Sequence, residues 1–303
     1  MVRALDGTAL VGPEHRGAGP SVDGLTPRWR SHPWVRAELP RRSVRRAWSA
    51  DDACALLASS IPAPAHVAEP ERAPLDGRDR LALWVLGEPG AAADLLLDVA
   101  SAGGLPSPQD RDEVVVGGCV PRGMPSPVGR GTSALDARLP EILHRPPTSS
   151  WDWFWFSAHP DALARPGPAV TEVPPGGARD AVVDCLRVAN PGAELDPRDP
   201  STRWWGARSD DGPAGVLSAV AGAHPAVTGW EIGGIATLPD ARGRGLAGAV
   251  LRAATRAALA DAGLATLGMY ADNASGRRLY ESAGYVVGQR FSGWRVLRAS
   301  QDG

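Results

Sequence analysis

A glycine-rich segment, residues 238–248, carries the clearest chemical signal in this sequence. It reads LPDARGRGLAG and lies between a predicted strand and the predicted start of a helix. Gly243 and Gly245 let the backbone curl so that several N–H groups converge, and the helix start adds about half a positive charge. Arg242 and Arg244 beside them can add charge-assisted hydrogen bonds. The segment therefore predicts a binding site for a pyrophosphate.

Two classes of nucleotide ligand fit such a turn. The dinucleotide-binding pattern Gly-x-Gly-x-x-Gly is satisfied by Gly243, Gly245 and Gly248, and Asp272 follows the next predicted strand, where a ribose-binding acid would lie. However, only 55 residues follow Gly248, too few for the second half of a dinucleotide-binding domain. The position of the motif therefore disfavours the dinucleotide interpretation.

The same segment, together with a second block further along the chain, fits another family. Arg242-x-x-Gly245-x-Ala247, after a strand and a proline, resembles the acetyl-CoA signature of the GNAT superfamily of acetyl-CoA-dependent N-acetyltransferases. The family's second block, Asn-x-x-Ala-x-x-Leu-Tyr-Glu-x-x-Gly-Phe, is matched here with glycine for the alanine and tyrosine for the phenylalanine. Its residues in this chain are Asn273, Gly276, Leu279, Tyr280, Glu281, Gly284 and Tyr285. The resemblance covers residues from about 168 to 303, and the N-terminal half carries neither block.

This resemblance implies a fold, a cofactor and a set of binding residues. It implies a splayed mixed sheet that binds acetyl-CoA, the acyl donor, with Asn273 near the pantetheine arm and the Tyr280 hydroxyl near the sulfur. The strand residues implied to bond the pantetheine arm are Ile235, Ala236 and Thr237. The amides implied to hold the pyrophosphate are those of Arg242, Gly243, Arg244, Gly245, Leu246, Ala247 and Gly248.

Glu231 is the candidate general base. An amine with a pKa near 10.4 is neutral in only about one molecule in a few thousand at pH 7, so acyl transfer requires removal of its proton. Glu231 precedes Ile235 by four residues, and alternation along the strand predicts that Glu231, Gly233, Ile235 and Thr237 share one face. The alternative is that a chain of water molecules acts as the base and Glu231 lies in solvent.

Tyr280 is the candidate general acid for the departing thiolate. The alternative is a core tyrosine whose hydroxyl is bonded by a backbone carbonyl. For the acceptor, the acidic loop of residues 194–199 occupies the place where the family usually gates its acceptor site, although a solvated loop is the simpler interpretation. Trp204 and Trp205 are candidates for the mouth of that site, with one of them expected in the core.

The remaining patterns predict elements that position these residues. In the second half, strands are predicted at 170–173, 203–207, 215–220, 230–238 and 264–271, with helices at 178–189, 243–262 and 274–283. In the first half, the predicted elements are a helix at 50–59, strands at 80–86 and 113–116, and a helix at 91–102. The aromatic run at 151–156 is interpreted as a core strand, with the wall of an acyl pocket or of a domain interface as the alternative. The basic run at 41–46 is interpreted as a solvated face, with an anion site as the alternative.

The alternation of strands and helices predicts an α/β fold with a mixed sheet. We expect a mobile tail at 1–25, an N-terminal α/β domain at 26–160, a linker at 161–169 and the GNAT-like domain at 170–303. The N-terminal domain is predicted to be a degenerate copy of the same fold, because the family is known to use tandem arrangements.

Composition excludes several other functions. The chain has no lysine, which removes Schiff-base, P-loop and Ser-x-x-Lys chemistry, and its net charge of −2 argues against nucleic acid as a partner. The cysteines, Cys54, Cys119 and Cys185, lack metal-ligand spacing, so no metal is expected. No apolar run resembles a signal peptide or a membrane span, which predicts a cytoplasmic protein without membrane contact.

These observations predict an N-acetyltransferase that moves an acetyl or short acyl group to a primary amine by direct attack on the thioester. The acceptor is a small-molecule amine or a peptide, and a homodimer is left open as the assembly. The alternative function is a non-catalytic acyl-CoA-binding regulator, which would retain the turn at Gly245 without needing Glu231 or Tyr280.

Overall fold

The computed structural model describes residues 23–59, 78–164, 167–210, 215–226 and 228–294. They form two compact units. One contains the described residues up to Trp151 and those from Gln289 onward, and the other is Asp152–Gly288. Most of the predicted tail, residues 1–22, lies outside the described residues. The domain boundaries drawn from the sequence stay predictions.

The first unit contains a mixed sheet with one long helix. Its helices and strands are α1 (Pro27–Arg30), α2 (Pro33–Glu38), β1 (Val44–Ser49), β2 (Ala53–Ser59), β3 (Asp79–Gly87), α3 (Pro89–Ser101), β4 (Glu113–Pro121), α4 (Ser133–Asp136) and the start of β5 (Ser149–Phe156), with short 3-10 turns at Leu39–Arg41 and Glu141–His144. β1 pairs antiparallel with β2, β2 pairs antiparallel with β3, and β3 pairs parallel with β4 after the α3 crossover. β4 also pairs antiparallel with the end of the last strand, β11 (Tyr285–Trp294).

The helix predicted at 50–59 is wrong, because this segment forms strand β2. Every residue from Ala53 to Ala58 is buried. β2 lies between β1 and β3, where Leu57 faces Leu83 of β3. A strand covered on both faces is apolar throughout, so its sequence lacks alternation and resembles a helix segment.

The basic run at 41–46 does not form a uniformly solvated face. The Arg42 side chain is buried, pairs with Glu38 at 2.7 Å, and has its guanidinium carbon 4.0 Å from the ring centroid of Trp84. Arg45, by contrast, is exposed and pairs with Asp79. The prediction is therefore wrong for Arg42. Its partners belong to α2 and β3, so the sequence of the basic run does not indicate them.

The second unit contains the elements that position the candidate site. They are the rest of β5, β6 (Val170–Val173), α5 (Asp180–Ala189), β7 (Arg203–Ala207), β8 (Ala219–His224), β9 (Trp230–Thr237), α6 (Leu246–Ala262), β10 (Ala265–Tyr270), α7 (Ala274–Ser282) and the start of β11, with 3-10 turns at Pro160–Leu163, Gly177–Arg179 and Pro239–Ala241. The strand order is β11-β5-β10-β9-β8-β7-β6. β6 to β9 pair antiparallel in sequence, and β9 pairs parallel with β10 after the α6 crossover. The mixed α/β fold predicted from the sequence is confirmed.

The strand predicted at 215–220 is displaced. β8 begins at Ala219 and continues to His224, while Leu217 is buried before the strand starts. Small residues dominate the segment AVAGAH, in which Val220 is the one β-branched residue, so the segment has little of the composition by which strands are recognised. The predicted turn at 209–212 falls partly outside the described residues.

Two cores cover the two faces of this sheet. The α5 face is the one where α5 packs on residues such as Trp204, Val220 and Ala236. The α6 face is the opposite one, where α6 and α7 pack on residues such as Trp205 and Ile232. Neighbouring residues of one strand therefore belong to different cores, as strand geometry requires.

The aromatic run forms β5, which lies between β10 and β11. Phe154 and Phe156 are buried in the α6-face core, and Asp152 on the same side of the strand is fully buried. Trp153 lies on the other side and packs against Gly288, where an added Cβ would be 2.6 Å from its ring. The interpretation as a core strand is confirmed.

None of the helices in the described part of the chain is long and apolar enough to cross a membrane. Among the same residues, no three His, Cys, Asp or Glu side chains are grouped as metal ligands would be. The three cysteines are buried and unpaired with one another, and burial raises the pKa of Cys119 and Cys185 to about 11.

Candidate functional site

A turn with two left-handed glycines joins β9 to α6. Gly243 has a φ of +77° and Gly245 a φ of +76°, a conformation that other residues rarely adopt. An added Cβ at either glycine would meet no atom within 4 Å. Glycine is therefore required by the backbone conformation, and the exposed turn leaves open space beside the start of α6.

The first turn of α6 has backbone N–H groups that no side chain caps. Gly245 occupies the N-cap position, and no acidic residue lies in the first turn. These N–H groups lack acceptors within the helix, so they attract anions. The arginines predicted beside them lie at the turn and are exposed, with Arg242 donating to the Thr237 carbonyl at 3.3 Å and Arg244 to the Ser209 hydroxyl at 2.7 Å.

The sheet opens beside this turn, because β9 and β10 pair over only part of their lengths. Their parallel pairing runs from Trp230 with Ala265 to Ile232 with Leu267. β9 then continues for five residues and β10 for three, and in these fully described strands no further residue pairs join them. The opening leaves backbone groups along both strand ends that an extended ligand can bond.

A bulge in β9 lies at the opening and corrects one prediction. The register between β8 and β9 shifts by one residue, and Gly234 in the bulge has a φ of +59°. As a result Ile235 packs against the α6-face core while Ala236 belongs to the α5-face core. The prediction that Glu231 and Ile235 share a face is therefore wrong, because the bulge inserts one residue into the alternation.

The indole of Trp204 fills the space beside the bulge. Its ring lies 2.5 Å from where a Cβ on Gly234 would stand and 2.8 Å from the corresponding position on Gly222. Its Nε1 donates to the Thr202 hydroxyl at 3.0 Å. Trp205 is buried in the opposite core. The prediction that one of these tryptophans lines the acceptor mouth is wrong, because both are core residues.

The acidic loop after α5 lies against the same opening. A methyl carbon of Leu195 lies 3.2 Å from where a Cβ on Gly233 would stand. The Glu194 carboxylate accepts a hydrogen bond from the Tyr270 hydroxyl at 3.3 Å, at the end of β10. The loop therefore contacts both strands that diverge.

A buried arginine holds this loop in place. Arg179 donates to the backbone carbonyls of Pro197 at 2.8 Å, Asp199 at 2.9 Å and Thr202 at 2.6 Å. Burial lowers the pKa of Arg179, and the Asp199 carboxylate opposes that shift. The guanidinium has no local sequence signature, since its partners lie 18 to 23 residues away.

Asn190 and the side-chain hydroxyl of Thr237 are polar groups at the opening that the sequence did not single out, although the Thr237 backbone was predicted to bond the pantetheine arm. Asn190, the residue after α5, donates from its side chain to the Ile235 carbonyl at 3.4 Å. The Thr237 hydroxyl is buried and, among the described residues, has no hydrogen-bond partner. Both groups adjoin the strand residues expected to bond a pantetheine arm, and a buried hydroxyl without a partner fits a ligand at this place.

Glu231 and Tyr280 lie on opposite faces of the sheet. Glu231 is exposed between Trp230 and Ile232, which belong to the α6-face core, so its side chain is on the α5 face. Tyr280 of α7 belongs to the α6-face core and is 8% exposed. Burial raises the pKa of Tyr280 to about 12. Within the described ranges no hydrogen bond to the Tyr280 hydroxyl is present, which disfavours the alternative of a core tyrosine bonded by a carbonyl.

Asn273 caps α7. Its side-chain oxygen accepts from the Gly276 N–H at 2.8 Å and from the Ser275 hydroxyl at 3.1 Å. An added Cβ at Gly276 would lie 2.6 Å from the Asn273 side-chain nitrogen, so the glycine at this position accommodates the cap. The contact of Asn273 with a pantetheine arm stays a prediction.

Residues 180–285 match the family model described as "Acetyltransferase (GNAT) family". This segment begins at α5 and ends at the start of β11, so it contains the turn, the opening, Glu231 and Tyr280. Residues 180–285 form a GNAT acetyltransferase domain. Acyl transfer from acyl-CoA is the general activity that this family membership implies for the domain.

Solved structures that resemble the chain include other GNAT proteins. A GNAT-family protein from Novosphingobium aromaticivorans is 23% identical, with 69% of this chain and 81% of that chain covered and a TM-score of 0.41. A GCN5-related N-acetyltransferase from Kribbella flavida is 16% identical, with 82% and 88% covered and a TM-score of 0.41. A tandem GNAT protein from the clavulanic acid biosynthesis pathway is 14% identical, with 91% and 89% covered and a TM-score of 0.41. No protein among the curated sequences matches this chain.

The GNAT domain brings most of the predicted site residues to one region. The uncapped turn at 242–248, the strand end with Ile235 and Thr237, and α7 with Asn273 and Tyr280 all adjoin the opening or the helices beside it. The functional roles of these residues stay predictions. Arg179, Asn190 and Leu195 are the additional residues that the structure places at the site.

Proposed function

We propose that this protein is an N-acyltransferase that moves an acetyl or other short acyl group from acyl-CoA to a primary amine by direct attack on the thioester. One observation carries the proposal. The uncapped first turn of α6, with its two left-handed glycines, lies at the end of the same strand that separates from its neighbour. An anion site and an opened strand in this order suit a ligand with a pyrophosphate at one end and an amide-containing arm at the other.

The residues present fit this donor. The amides of residues 242–248 would hold the pyrophosphate, and Arg242 and Arg244 would add charge. The backbone of Ile235, Ala236 and Thr237 would bond the arm, with the Asn190 amide competing for the Ile235 carbonyl. The donor supplies a thioester, whose carbonyl carbon accepts the amine and whose sulfur leaves as a thiolate.

Glu231 is the group that we propose removes the proton from the amine. Its carboxylate is exposed on the α5 face, the same face on which Leu195 of the acidic loop covers Gly233. The new bond forms between the amine nitrogen and the carbonyl carbon, the carbon–sulfur bond breaks, and the amine proton passes to the carboxylate directly or through water. The loop carboxylates favour a cationic acceptor that approaches from this face.

Tyr280 is the group that we propose stabilises the departing thiolate. Its position on the α6 face, opposite Glu231, allows proton removal and sulfur departure on opposite sides of the sheet. A phenol with a pKa of about 12 keeps its proton at neutral pH. An alkyl thiolate is a weaker base than the anion of such a phenol, so full proton transfer to it is uphill and the hydroxyl acts chiefly as a hydrogen-bond donor to the developing charge.

The first unit is proposed to be a degenerate copy of the same fold that binds no acyl-CoA. Its strands β1 to β4 pair antiparallel, antiparallel and parallel, with a helix before the last, as β7 to β10 do. The first turn of α3, however, is capped by the carboxylate of Glu88, which accepts from the Ala91 N–H at 2.8 Å. A negative side chain at this place opposes a pyrophosphate.

Calorimetric titration of acetyl-CoA into wild type, Gly245→Glu and Gly263→Glu tests the donor site. Gly263 caps the other end of α6 with a φ of +68° and open space around it, so it matches Gly245 in backbone strain but lies away from the turn. We expect binding by wild type and Gly263→Glu, and a loss of at least about 100-fold in Gly245→Glu. If wild type binds no acyl-CoA, the proposed function is wrong.

The rival function, a non-catalytic acyl-CoA-binding regulator, predicts binding without turnover. Assays of wild type, Glu231→Gln and Tyr280→Phe against a panel of amines separate the two. The chain has no lysine that could become acylated itself, so acyl transfer to lysine adds no background. Turnover by wild type that falls in both variants supports the enzyme. A cytoplasmic location and a homodimer stay predictions beside this proposal.

A further inference from the structure

A strand from outside the family-matched segment packs beneath α7. β5 precedes residues 180–285, and its Asp152 is 0% exposed. A carboxylate is rarely buried in this way without a charged partner, because removal from water penalises its ionised form. A charged partner of Asp152 therefore identifies an element that β5 positions.

That partner is Arg277 of α7. An amino group of its guanidinium bonds the Asp152 carboxylate, and the other lies 3.6 Å from the Glu281 carboxylate. The Arg277 side chain is 26% exposed, so part of it contacts solvent although its partner Asp152 is fully buried. The hydrogen bond that Arg277 donates to the Asp152 carboxylate is the main reason that the pKa of Arg277 is raised.

Tyr280 is attached to the same strand. Arg277 and Tyr280 are three residues apart on α7 and therefore lie on one helix face. Phe154, two residues after Asp152, meets the Tyr280 ring edge-on at 5.8 Å between centroids, and the Arg277 guanidinium lies 5.6 Å from the Phe154 ring. Asp152 and Phe154 of β5 thus contact Arg277 and Tyr280 of α7. These two contacts fix the rotation of α7 about its axis and its distance from the sheet.

We propose that Asp152 is a positioning residue that, through Arg277, places the Tyr280 hydroxyl for hydrogen bonding to the departing thiolate. The inference rests on the proposed function, in which Tyr280 performs that role. An apolar contact alone permits a helix to rotate or slide by a fraction of an ångström. A charge-assisted hydrogen bond has directional geometry, so it restricts that movement.

The test is a double-mutant cycle on kcat in the full-length protein, with acetyl-CoA and the best amine of the panel. We expect Tyr280→Phe to lower kcat about 100-fold. Asp152→Asn should lower kcat about tenfold with the KM for acetyl-CoA changed less than twofold, because the proposed contacts of the donor with the turn and β9 outnumber the one predicted for Asn273. In the Tyr280→Phe background, Asp152→Asn should change kcat less than twofold. Arg278→Met, which removes the neighbouring exposed arginine, is the control and should leave kcat unchanged.

A second variant separates positioning from folding. Asp152→Leu combined with Arg277→Met replaces the ion pair by an apolar pair, a change that is often neutral for stability. We expect a cooperative thermal transition close to that of wild type together with the tenfold loss of kcat. This variant decides the question if Asp152→Asn does not fold.

Two results would overturn the inference. One is an equal loss of kcat on Asp152→Asn whether Tyr280 is present or replaced, because Asp152 would then act independently of Tyr280. The other is a folded apolar-pair variant with wild-type kcat. A wild-type kcat in Tyr280→Phe would instead remove the proposed role of Tyr280, which is a separate failure.

Discussion

At the scale of single residues, this structure separates glycines needed for conformation from glycines needed for space. Gly245 adopts a left-handed conformation in an open turn, so a substitution there alters the backbone and whatever binds to it. Gly234 is also left-handed, but the indole of Trp204 additionally occupies the place of its missing side chain. We therefore expect a substitution by alanine to cause backbone strain at both glycines and an additional steric collision at Gly234.

We expect Gly234→Ala to destabilise the protein by about 2–4 kcal/mol, the sum of a left-handed alanine and a collision with Trp204. The KM for acyl-CoA should rise as well, because the bulge shapes the strand end that we propose bonds the pantetheine arm. The control is Gly263→Ala, which has a similar φ and no close neighbour, and it should lose only about 1 kcal/mol. Urea denaturation measures both, and equal losses would contradict the role of Trp204.

Tyr280 predicts a dependence of stability on alkaline pH. The pKa of its phenol is near 10 in the unfolded chain and about 12 in the folded protein, because burial disfavours the phenolate. The free energy of unfolding is therefore unaffected by this group below pH 10 and decreases as the pH rises toward 12, where the unfolded chain ionises first. Over that interval Tyr280→Phe should lose roughly 2 kcal/mol less stability than wild type. Urea midpoints between pH 8 and 11.5 measure this difference, and parallel curves would refute it.

At the scale of elements, the proposed acceptor side of the site depends on one loop held by one buried side chain. Arg179 bonds three carbonyls of the loop that carries Glu194 and Leu195. The loop touches β9 through Leu195 and β10 through Tyr270, the two strands that diverge. Under the proposed function, the rigidity of this loop therefore bears on the acceptor and much less on the donor, for which we propose the turn and β9 as the binding site.

Arg179→Met should release this loop, remove the donor to the buried carbonyls of Pro197 and Thr202, and lower stability by about 2–4 kcal/mol. We expect the KM for the amine to rise about tenfold or more, with the KM for acetyl-CoA within about twofold. Arg187→Met is the control, because Arg187 is exposed on α5 and pairs only with Asp184 among the contacts described. Steady-state kinetics with each substrate varied in turn gives the result, and a shift confined to the KM for acetyl-CoA would refute the assignment.

At the scale of the whole molecule, two units with a similar strand pattern differ at the start of one helix. α6 begins at an uncapped glycine turn, whereas α3 begins at Glu88, whose carboxylate caps the helix. The repeated pairing of strands is consistent with a duplicated fold, and because a carboxylate caps α3 but not α6, we propose that the donor site lies in the second unit alone.

The chain should therefore bind one acyl-CoA, with a calorimetric stoichiometry near one per chain. Gly245→Glu should remove all binding, and Glu88→Gln, which retains an oxygen cap without the charge, should leave both stoichiometry and affinity unchanged. A stoichiometry near two, or binding that remains in Gly245→Glu, would show that the first unit holds a second site.

The amino-acid sequence by itself was sufficient for the local parts of this protein. The glycine turn with α6, the asparagine-capped helix α7 and the edge strand β6 follow from patterns within about 20 residues, because caps, left-handed glycines and helical periodicity are local properties. For the same reason the sequence failed at β2, whose burial on both faces removes its periodicity, and at Ile235, which the bulge turns to the other face.

Tertiary contacts alone reveal which distant segments adjoin the candidate site. Asp152 and Arg277 are 125 residues apart, and Arg179 bonds carbonyls up to 23 residues away. β5 enters the sheet between β10 and β11, although it precedes the family-matched segment by more than 20 residues. Such pairings are selected by the burial of apolar faces and by the need of each buried charge for a partner, and neither requirement is visible in the periodicity of a single segment.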